Sequence, residues 1–408
     1  MKVLVWSQYY WPENFHINDV VMELARQQVE VTVVTGKPNY PEGRIFSGYT
    51  IGGVKVENHG EVEVIRLPLL PRGQNSAIKL LLNYLSFIVM GYMLAPWLLR
   101  GRRFDAVFVY APSPLFQALP ALWVAGLKRA PLLLWVQDLW PESLRATGFV
   151  KNKWLLKAVE FAVTRVYRGA DRILIQSEAF RPSVTRLLGL GCAARISYFP
   201  NSAAEAQRPS PSCVESAISQ AVGACFSVVF AGNIGYAQSC DTIIEAAQLL
   251  RGQAGIRFFI VGSGSQAEHM AQRVSVLGLK NVELVGRVPP SQMGAIYAAS
   301  SVLLLTLRDD PVLSVTVPSK FQSYLAAGKP VIASCNGEVA RLVAESGCGL
   351  AVSAEDPCQL AKAVLELYQA GSDQLEGMGY CGKEFFSHNY MLADNVKKLI
   401  GFFAKTEH

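Results

Sequence analysis

The sequence predicts an α/β protein made of two doubly wound, Rossmann-like domains facing a cleft. Three observations point there. At 408 residues the chain is too long for one ordinary core and suits two domains of roughly 200 residues each. An apolar strand, an amphipathic helix and a second apolar strand follow one another from Lys2 to Thr35. The same rhythm restarts at Phe226, after a stretch from Asn201 to Ala224 that is rich in Ser, Ala, Pro and Gln. The linker is expected in that stretch, with residues 1–201 plus about 386–408 as the first domain and 202–385 as the second.

Lys2 to Trp6 reads as a short buried strand, followed by a polar and aromatic loop through Tyr10-Trp11-Pro12-Glu13. A helix begins near Asn18 with Val20, Val21, Leu24 and Ala25 inward, and a strand runs from Val29 to Thr35. Further strands are expected at Asp105–Tyr110, Pro131–Val136 and Arg172–Gln176, each ending in a loop-forming sequence. The second domain has candidates at Phe226–Ala231, Ile256–Val261, Val282–Val285, Ser301–Thr306 and Pro330–Ser334. Between the last two, Pro318 and Ser319 start a helix, with Ser319 as its expected cap and Phe321, Tyr324 and Leu325 on one face. Gly328 ends it, and Lys329-Pro330 forbids its continuation. His388 to Lys405 reads as one helix returning to the first domain.

Hydrophobic residues make up 51% of the chain and charged residues 17%, which excludes a disordered protein. The net charge of +6, without a basic tail or a nucleic-acid motif, fits small anionic ligands or a phospholipid surface rather than nucleic acid. The eight cysteines form no Cys-x-x-Cys pair, and the five histidines form no metal-ligating pattern, so no protein-held metal is expected. The start at Met1-Lys2 lacks the long apolar run of a signal peptide, and a cytoplasmic location is expected.

Ala77 to Leu99 is apolar apart from Lys79, Asn83 and Ser86, and Arg100, Arg102 and Arg103 follow. Roughly 20 such residues are long enough to span a bilayer, but a span here would put two halves of one sheet on opposite sides. Two readings fit: a helix lying on an anionic membrane surface through residues 77–103, or a helix buried between the sheet and the other domain.

The chemistry gathers at strand ends. Phe230-Ala-Gly232-Asn233-Ile-Gly235-Tyr-Ala-Gln238 is a glycine-bearing turn between a strand and a helix beginning near Asp241, where backbone amides can face a phosphate. Val261-Gly262-Ser-Gly264 is a similar turn, without the third glycine of a dinucleotide fingerprint, so a nicotinamide enzyme is disfavoured. Arg287 and Val288 end another strand, placed to touch a base or ribose. Lys320 is a cation in the first turn of its helix, against the dipole, which either a shared anion or plain solvation would explain. Glu13 and Glu142 each follow a Trp-Pro pair after a strand; both either line the sheet's rim or cap the next helix.

These residues resemble a known family, the retaining glycosyltransferases of family 4 with the GT-B fold, and within it the WbuB-like enzymes of bacterial O-antigen and capsule assembly. The matching segments are Tyr9-Tyr-Trp-Pro-Glu-Asn14, Val34-Thr-Gly-Lys-Pro-Asn-Tyr-Pro-Glu-Gly43, Trp135-Val-Gln-Asp-Leu-Trp-Pro-Glu-Ser143, Tyr198-Phe-Pro-Asn201, Gly232-Asn-Ile-Gly235 and Pro318 to Ser334. The resemblance implies sugar transfer from a nucleotide diphosphate sugar, a UDP-sugar, held by the second domain, to a polyprenyl-diphosphate-linked saccharide held by the first. It implies no cofactor and no metal, and a location on the inner face of the cytoplasmic membrane. It points to N-acetyl-L-fucosamine or a related amino or deoxy sugar. Donor-binding residues would be Gly232, Asn233, Gly235, Gln238, Gly262, Gly264, Arg287, Val288, Pro318, Ser319 and Ser323. The acceptor side would carry Glu13, His16, Asn18, Lys37 and Glu142, and the catalytic candidates are Lys320 and Asp138.

The chain departs from the family pattern in two ways. Asn233 and Gln238 stand where a basic pair usually meets the donor pyrophosphate, and Val315 and Ser323 stand where two carboxylates are usual. A sugar-nucleotide epimerase of the same architecture and a non-catalytic nucleotide-sugar-binding subunit are the alternatives.

Overall fold

The computed structural model describes residues 1–74, 76–146, 152–203 and 217–404. Much of the expected linker, residues 204–216, lies outside the described residues, as do Cys213, Lys405 and His408. The chain divides into two compact units, residues 1–200 with 392–408, and residues 201–391.

The first unit runs β1 (Lys2–Trp6), α1 (Ile17–Arg26), β2 (Glu30–Gly36), β3 (Lys55–His59), β4 (Val62–Leu67), α2 (Ala77–Leu98), β5 (Ala106–Ala111), α3 (Ala118–Lys128), β6 (Leu132–Val136), α4 (Glu142–Ala146), α5 (Lys153–Gly169), β7 (Arg172–Ile175), α6 (Arg181–Leu188) and β8 (Ile196–Tyr198). Its eight strands form one sheet in the order β3-β4-β2-β1-β5-β6-β7-β8, parallel except for the β3–β4 hairpin. β1 and β5 are central, and their apolar runs are buried because helices cover both faces of a parallel sheet. α2, α3, α5 and α6 each carry the chain in the same direction along the sheet, so right-handed crossovers place them on one face. α1 lies on the other, packed against the last helix, Leu392–Ala404.

The second unit runs α7 (Ala217–Gly223), β9 (Phe226–Asn233), α8 (Cys240–Leu249), β10 (Ile256–Ser263), α9 (Ala267–Val276), β11 (Val282–Gly286), α10 (Pro290–Ala299), β12 (Val302–Thr306), α11 (Ser319–Ala327), β13 (Val331–Ser334), α12 (Glu338–Ser346), β14 (Gly349–Val352), α13 (Pro357–Gln369) and α14 (Ser372–Asn389). Its six strands are all parallel, in the order β11-β10-β9-β12-β13-β14. Two apolar cores lie on its two faces, one under α11 and α12, the other under α8 and α13.

Three expectations are corrected. His388–Lys405 is not one helix: α14 ends at Asn389, and α15 (Leu392–Ala404) starts afresh and belongs to the first unit. The β3–β4 hairpin and β14 are additional strands. Ser319 is not a cap, because it is already the first helical residue; Pro318 holds the cap position and offers no side-chain acceptor.

Candidate functional site

In the second unit a pocket of about 440 Å3 opens at the C-terminal ends of β9, β10 and β11, the edge where open parallel sheets bind ligands. Its lining includes Gly232, Asn233, Gly262, Arg287, Val288, Ser319, Lys320 and Ser323, eight residues singled out from the sequence. Met293 and Tyr297 of α10 complete one wall, and nothing in their spacing announced them. Among the described residues the lining holds two cationic side chains and no carboxylate.

Lys320 decides the character of the pocket. Its ammonium is sealed from solvent and has no hydrogen-bond partner among the described residues. Nζ lies 4.1 Å from the centre of the Phe230 ring, and burial lowers the pKa from 10.5 to about 8. The solvated-lysine reading of the sequence is therefore corrected. The position is held rigidly: the Tyr324 hydroxyl, one turn along α11, accepts from the Ala231 amide at 3.0 Å and lies 3.2 Å from the Ala231 and Leu304 carbonyls. Gly328, at φ 65°, ends the helix as expected.

The glycine turns are built for close approach. A side chain at Gly262, whose φ is 143°, would put Cβ 1.9 Å from the Gly232 carbonyl oxygen, so the two strand ends can only meet without one. Gly264 likewise packs against the Ile234 carbonyl and is not part of the lining. Gln238 is corrected too: its amide oxygen accepts from the Gly235 amide at 3.1 Å and closes the turn, so it does not reach the pocket. Gly235 lines a second pocket of about 260 Å3 with Asp241, Glu245, Glu355 and Arg308, whose excess of acid is unsuited to a phosphate. Pro318 stays outside both linings. Arg287 donates to the Ser263 hydroxyl at 2.9 Å, which steers the guanidinium across the strand ends.

Two family models cover most of the chain, the glycosyl transferase 4-like domain over residues 14–202 and glycosyl transferases group 1 over residues 225–370. The chain belongs to glycosyltransferase family 4. It is 28% identical over 339 residues to an Escherichia coli protein that bears the name colanic acid biosynthesis glycosyl transferase WcaI, covering 80% of this chain and 82% of that one. It is 25% identical over 294 residues to a Pseudomonas aeruginosa protein that bears the glycosyltransferase name WbjE, covering 68% of this chain and 70% of that one. Anabaena HepE, solved in complex with UDP, is similar in structure, with a TM-score of 0.69 over 99% of this chain and 100% of that one, at 14% identity. The fold is GT-B, two Rossmann-like domains.

The first unit of this glycosyltransferase holds its own candidates more tightly than the sequence implied. Glu13 is 1% exposed. Its carboxylate accepts from the Asn39 and Tyr40 amides at 2.8 and 2.7 Å, while burial raises its pKa to about 7. It staples two loops and does not line a rim. Asn18 does similar work, accepting from the Trp11 amide at 3.0 Å and donating to the Glu13 carbonyl at 2.7 Å. His16, at the start of α1, lies with its ring 5.7 Å from that of Trp135, and burial lowers its pKa to about 4. Glu142 accepts from Arg186 at 2.9 Å, so it is an ion-pair partner rather than a free ligand group. Asp138 lies two residues past the end of β6 and accepts from the Ser113 hydroxyl at 2.7 Å, which itself accepts from the Trp140 indole at 3.0 Å. Lys37, just past β2, is buried, and burial together with Lys55 and Arg66 lowers its pKa.

Proposed function

We propose that this glycosyltransferase moves an amino or deoxy sugar from a UDP-sugar to a polyprenyl-diphosphate-linked saccharide in surface polysaccharide assembly. The observation that carries the donor half is the buried ammonium of Lys320, which among the described residues has no hydrogen-bond partner and shares its pocket with a second cation and no carboxylate. A buried cation without a counter-ion is costly, and a diphosphate would supply one. HepE in complex with UDP, and the colanic acid name of WcaI, support a uridine nucleotide and a surface polysaccharide.

The reaction retains the anomeric configuration and uses no protein-held metal. The C1–O bond to the leaving diphosphate breaks as the acceptor oxygen bonds C1 from the same face, and the acceptor proton passes to the departing phosphate oxygen. The protein's share is position and charge. Lys320 neutralises the phosphate as its charge develops, the electrostatic effect that commonly dominates such steps. Asp138, fixed by Ser113, orients the acceptor hydroxyl. Lys37 and His16 belong to the same acceptor side.

The enzyme works on the inner face of the cytoplasmic membrane. α2 supports this: it is 22 residues long, and its buried residues are only Asn83, Phe87, Gly91 and Ala95, a single narrow stripe. The reading as a buried core helix does not describe it, since Ile78, Leu81, Met93 and Trp97 are exposed.

A thermal-shift screen of nucleotide sugars, followed by transfer to a lipid-diphosphate saccharide, tests the proposal. A UDP-sugar that stabilises the protein and is consumed only with acceptor present is the expected result. Acceptor-free epimer formation seen by NMR would establish the epimerase instead, and donor binding without turnover under any acceptor would establish a binding subunit.

A further inference from the structure

We infer that the membrane seat is the whole outer face of the α2–α3–α5 layer, with α5 as a second anchor beyond α2. This rests on the membrane-surface reading above and adds its extent and orientation. The three helices lie side by side on one face of the sheet. The Tyr92 ring of α2 and the Trp123 ring of α3 are 5.5 Å apart, and Gly169 of α5 meets Leu122 of α3. Outward from this layer stand Trp97 (74% exposed), Leu127 (55%), Trp154 (79%) and Phe161 (63%). Large apolar side chains exposed together mark an interaction surface rather than ordinary protein exterior.

The charge names the occupant. Residues 77–137 contain six basic side chains and one acid, Asp105, which accepts from the Lys2 amide; Arg102 is paired with Glu63 and Lys128 donates to the Leu99 and Arg102 carbonyls, while Lys79, Arg100, Arg103 and Arg129 make no ion pair among the described residues. α5 adds Lys153, Lys157, Arg165 and Arg168, and its one acid, Glu160, is paired with Arg145 and Arg186. On α5 the cations ride on the exposed rings: Lys157 Nζ lies 5.4 Å from the Trp154 ring centre and the Arg165 guanidinium 5.2 Å from that of Phe161. Aromatic rings with adjoining lysines and arginines are the side chains that settle at the headgroup level of an anionic bilayer.

An orientation follows. A bilayer resting on α2, α3 and α5 lies parallel to the sheet they cover. The C-terminal edge of the strands, with Lys37 and Asp138, then opens sideways along the lipid surface, where a headgroup-linked acceptor arrives by lateral diffusion.

The test is sedimentation of the full chain with phosphatidylglycerol/phosphatidylcholine vesicles and with pure phosphatidylcholine vesicles. Trp154→Ser combined with Phe161→Ser, both exposed and therefore neutral for folding, is expected to weaken partitioning onto the anionic vesicles by about tenfold with an unchanged melting temperature. Leu81→Ser with Met93→Ser reports on α2 separately. Full partitioning of the α5 variant, alongside loss in the α2 variant, would overturn the second anchor and leave the membrane reading standing. A wild-type chain indifferent to both vesicles would overturn both.

Discussion

Replacing Lys320 by Met is expected to make the empty enzyme more stable and the donor site useless. The fall of the lysine pKa from 10.5 to about 8 corresponds to roughly 3 kcal/mol in favour of the neutral amine. Because the folded pKa lies below the unfolded one, the unfolded chain holds the proton more tightly. The penalty is therefore fully present below pH about 8 and disappears as pH rises toward 10.5. Methionine keeps the aliphatic stem against Phe230 and removes the charge, so the second unit should gain about 2–3 kcal/mol at pH 7, or roughly 5–10 °C in its melting transition. On the proposed donor reading the same change deletes a buried charge-assisted contact to the diphosphate, and UDP binding is expected to weaken by about 100-fold or more. Calorimetry with and without UDP measures both effects. Wild-type UDP affinity should also fall between pH 7 and 9 as the amine loses its proton. A Lys320→Met protein that melts below wild type, or binds UDP within about threefold of it, would refute the reasoning.

The remaining predictions concern the turns and the buried carboxylate. Gly262→Ala should cost more than about 3 kcal/mol, read by denaturant unfolding of the second unit, since the new Cβ meets the Gly232 carbonyl and the backbone sits at positive φ. Glu13, with its folded pKa raised from 4.5 to about 7, stabilises the fold below pH 4.5 and loses that contribution as pH rises through 7. Glu13→Gln keeps an oxygen for the Asn39 and Tyr40 amides and should flatten the stability profile across this range, gaining roughly 2–3 kcal/mol over wild type at pH 8. Ser323→Glu places a carboxylate three residues from Lys320 on the same helix face; UDP affinity should fall while the lysine pKa rises, as seen by isothermal titration and by NMR of the amine.

Much of this was legible in the sequence, because parallel strands buried on both faces are written as continuous apolar runs. β1, β5, β6, β9, β10 and β12 could be read that way to within two residues. α11 was legible for a different reason, since Gly328 and Pro330 punctuate it. β3 was not, because Lys55-Val-Glu-Asn-His59 lies at a sheet edge and carries charges that no periodic rule marks as a strand. The strand ends told which residues would share an edge, and eight of them do line one pocket. They could not tell which polar groups the fold consumes for itself. Glu13, Asn18 and Gln238 spend their hydrogen bonds on neighbouring backbone, and only three-dimensional packing reveals that. The burial of Lys320 was hidden for the same reason: the sequence showed a lysine at a helix start, and the fold put Phe230 beneath it.

On the proposed donor reading, with Asn233 and Gln238 where the resemblance implies a basic pair, the charge that meets the diphosphate falls on Lys320. Two unit charges 4 Å apart attract by about 1 kcal/mol in bulk water and by about 4 kcal/mol at an effective dielectric near 20. One lysine sealed beside Phe230 and Gly232 can thus match several cations left in solvent. Gln238 closes the Gly235 turn and adds no charge to it. On the proposed reading a cation in that turn would depress the Lys320 pKa further, so the neutral turn favours a lysine that is still protonated near pH 7 when the diphosphate arrives.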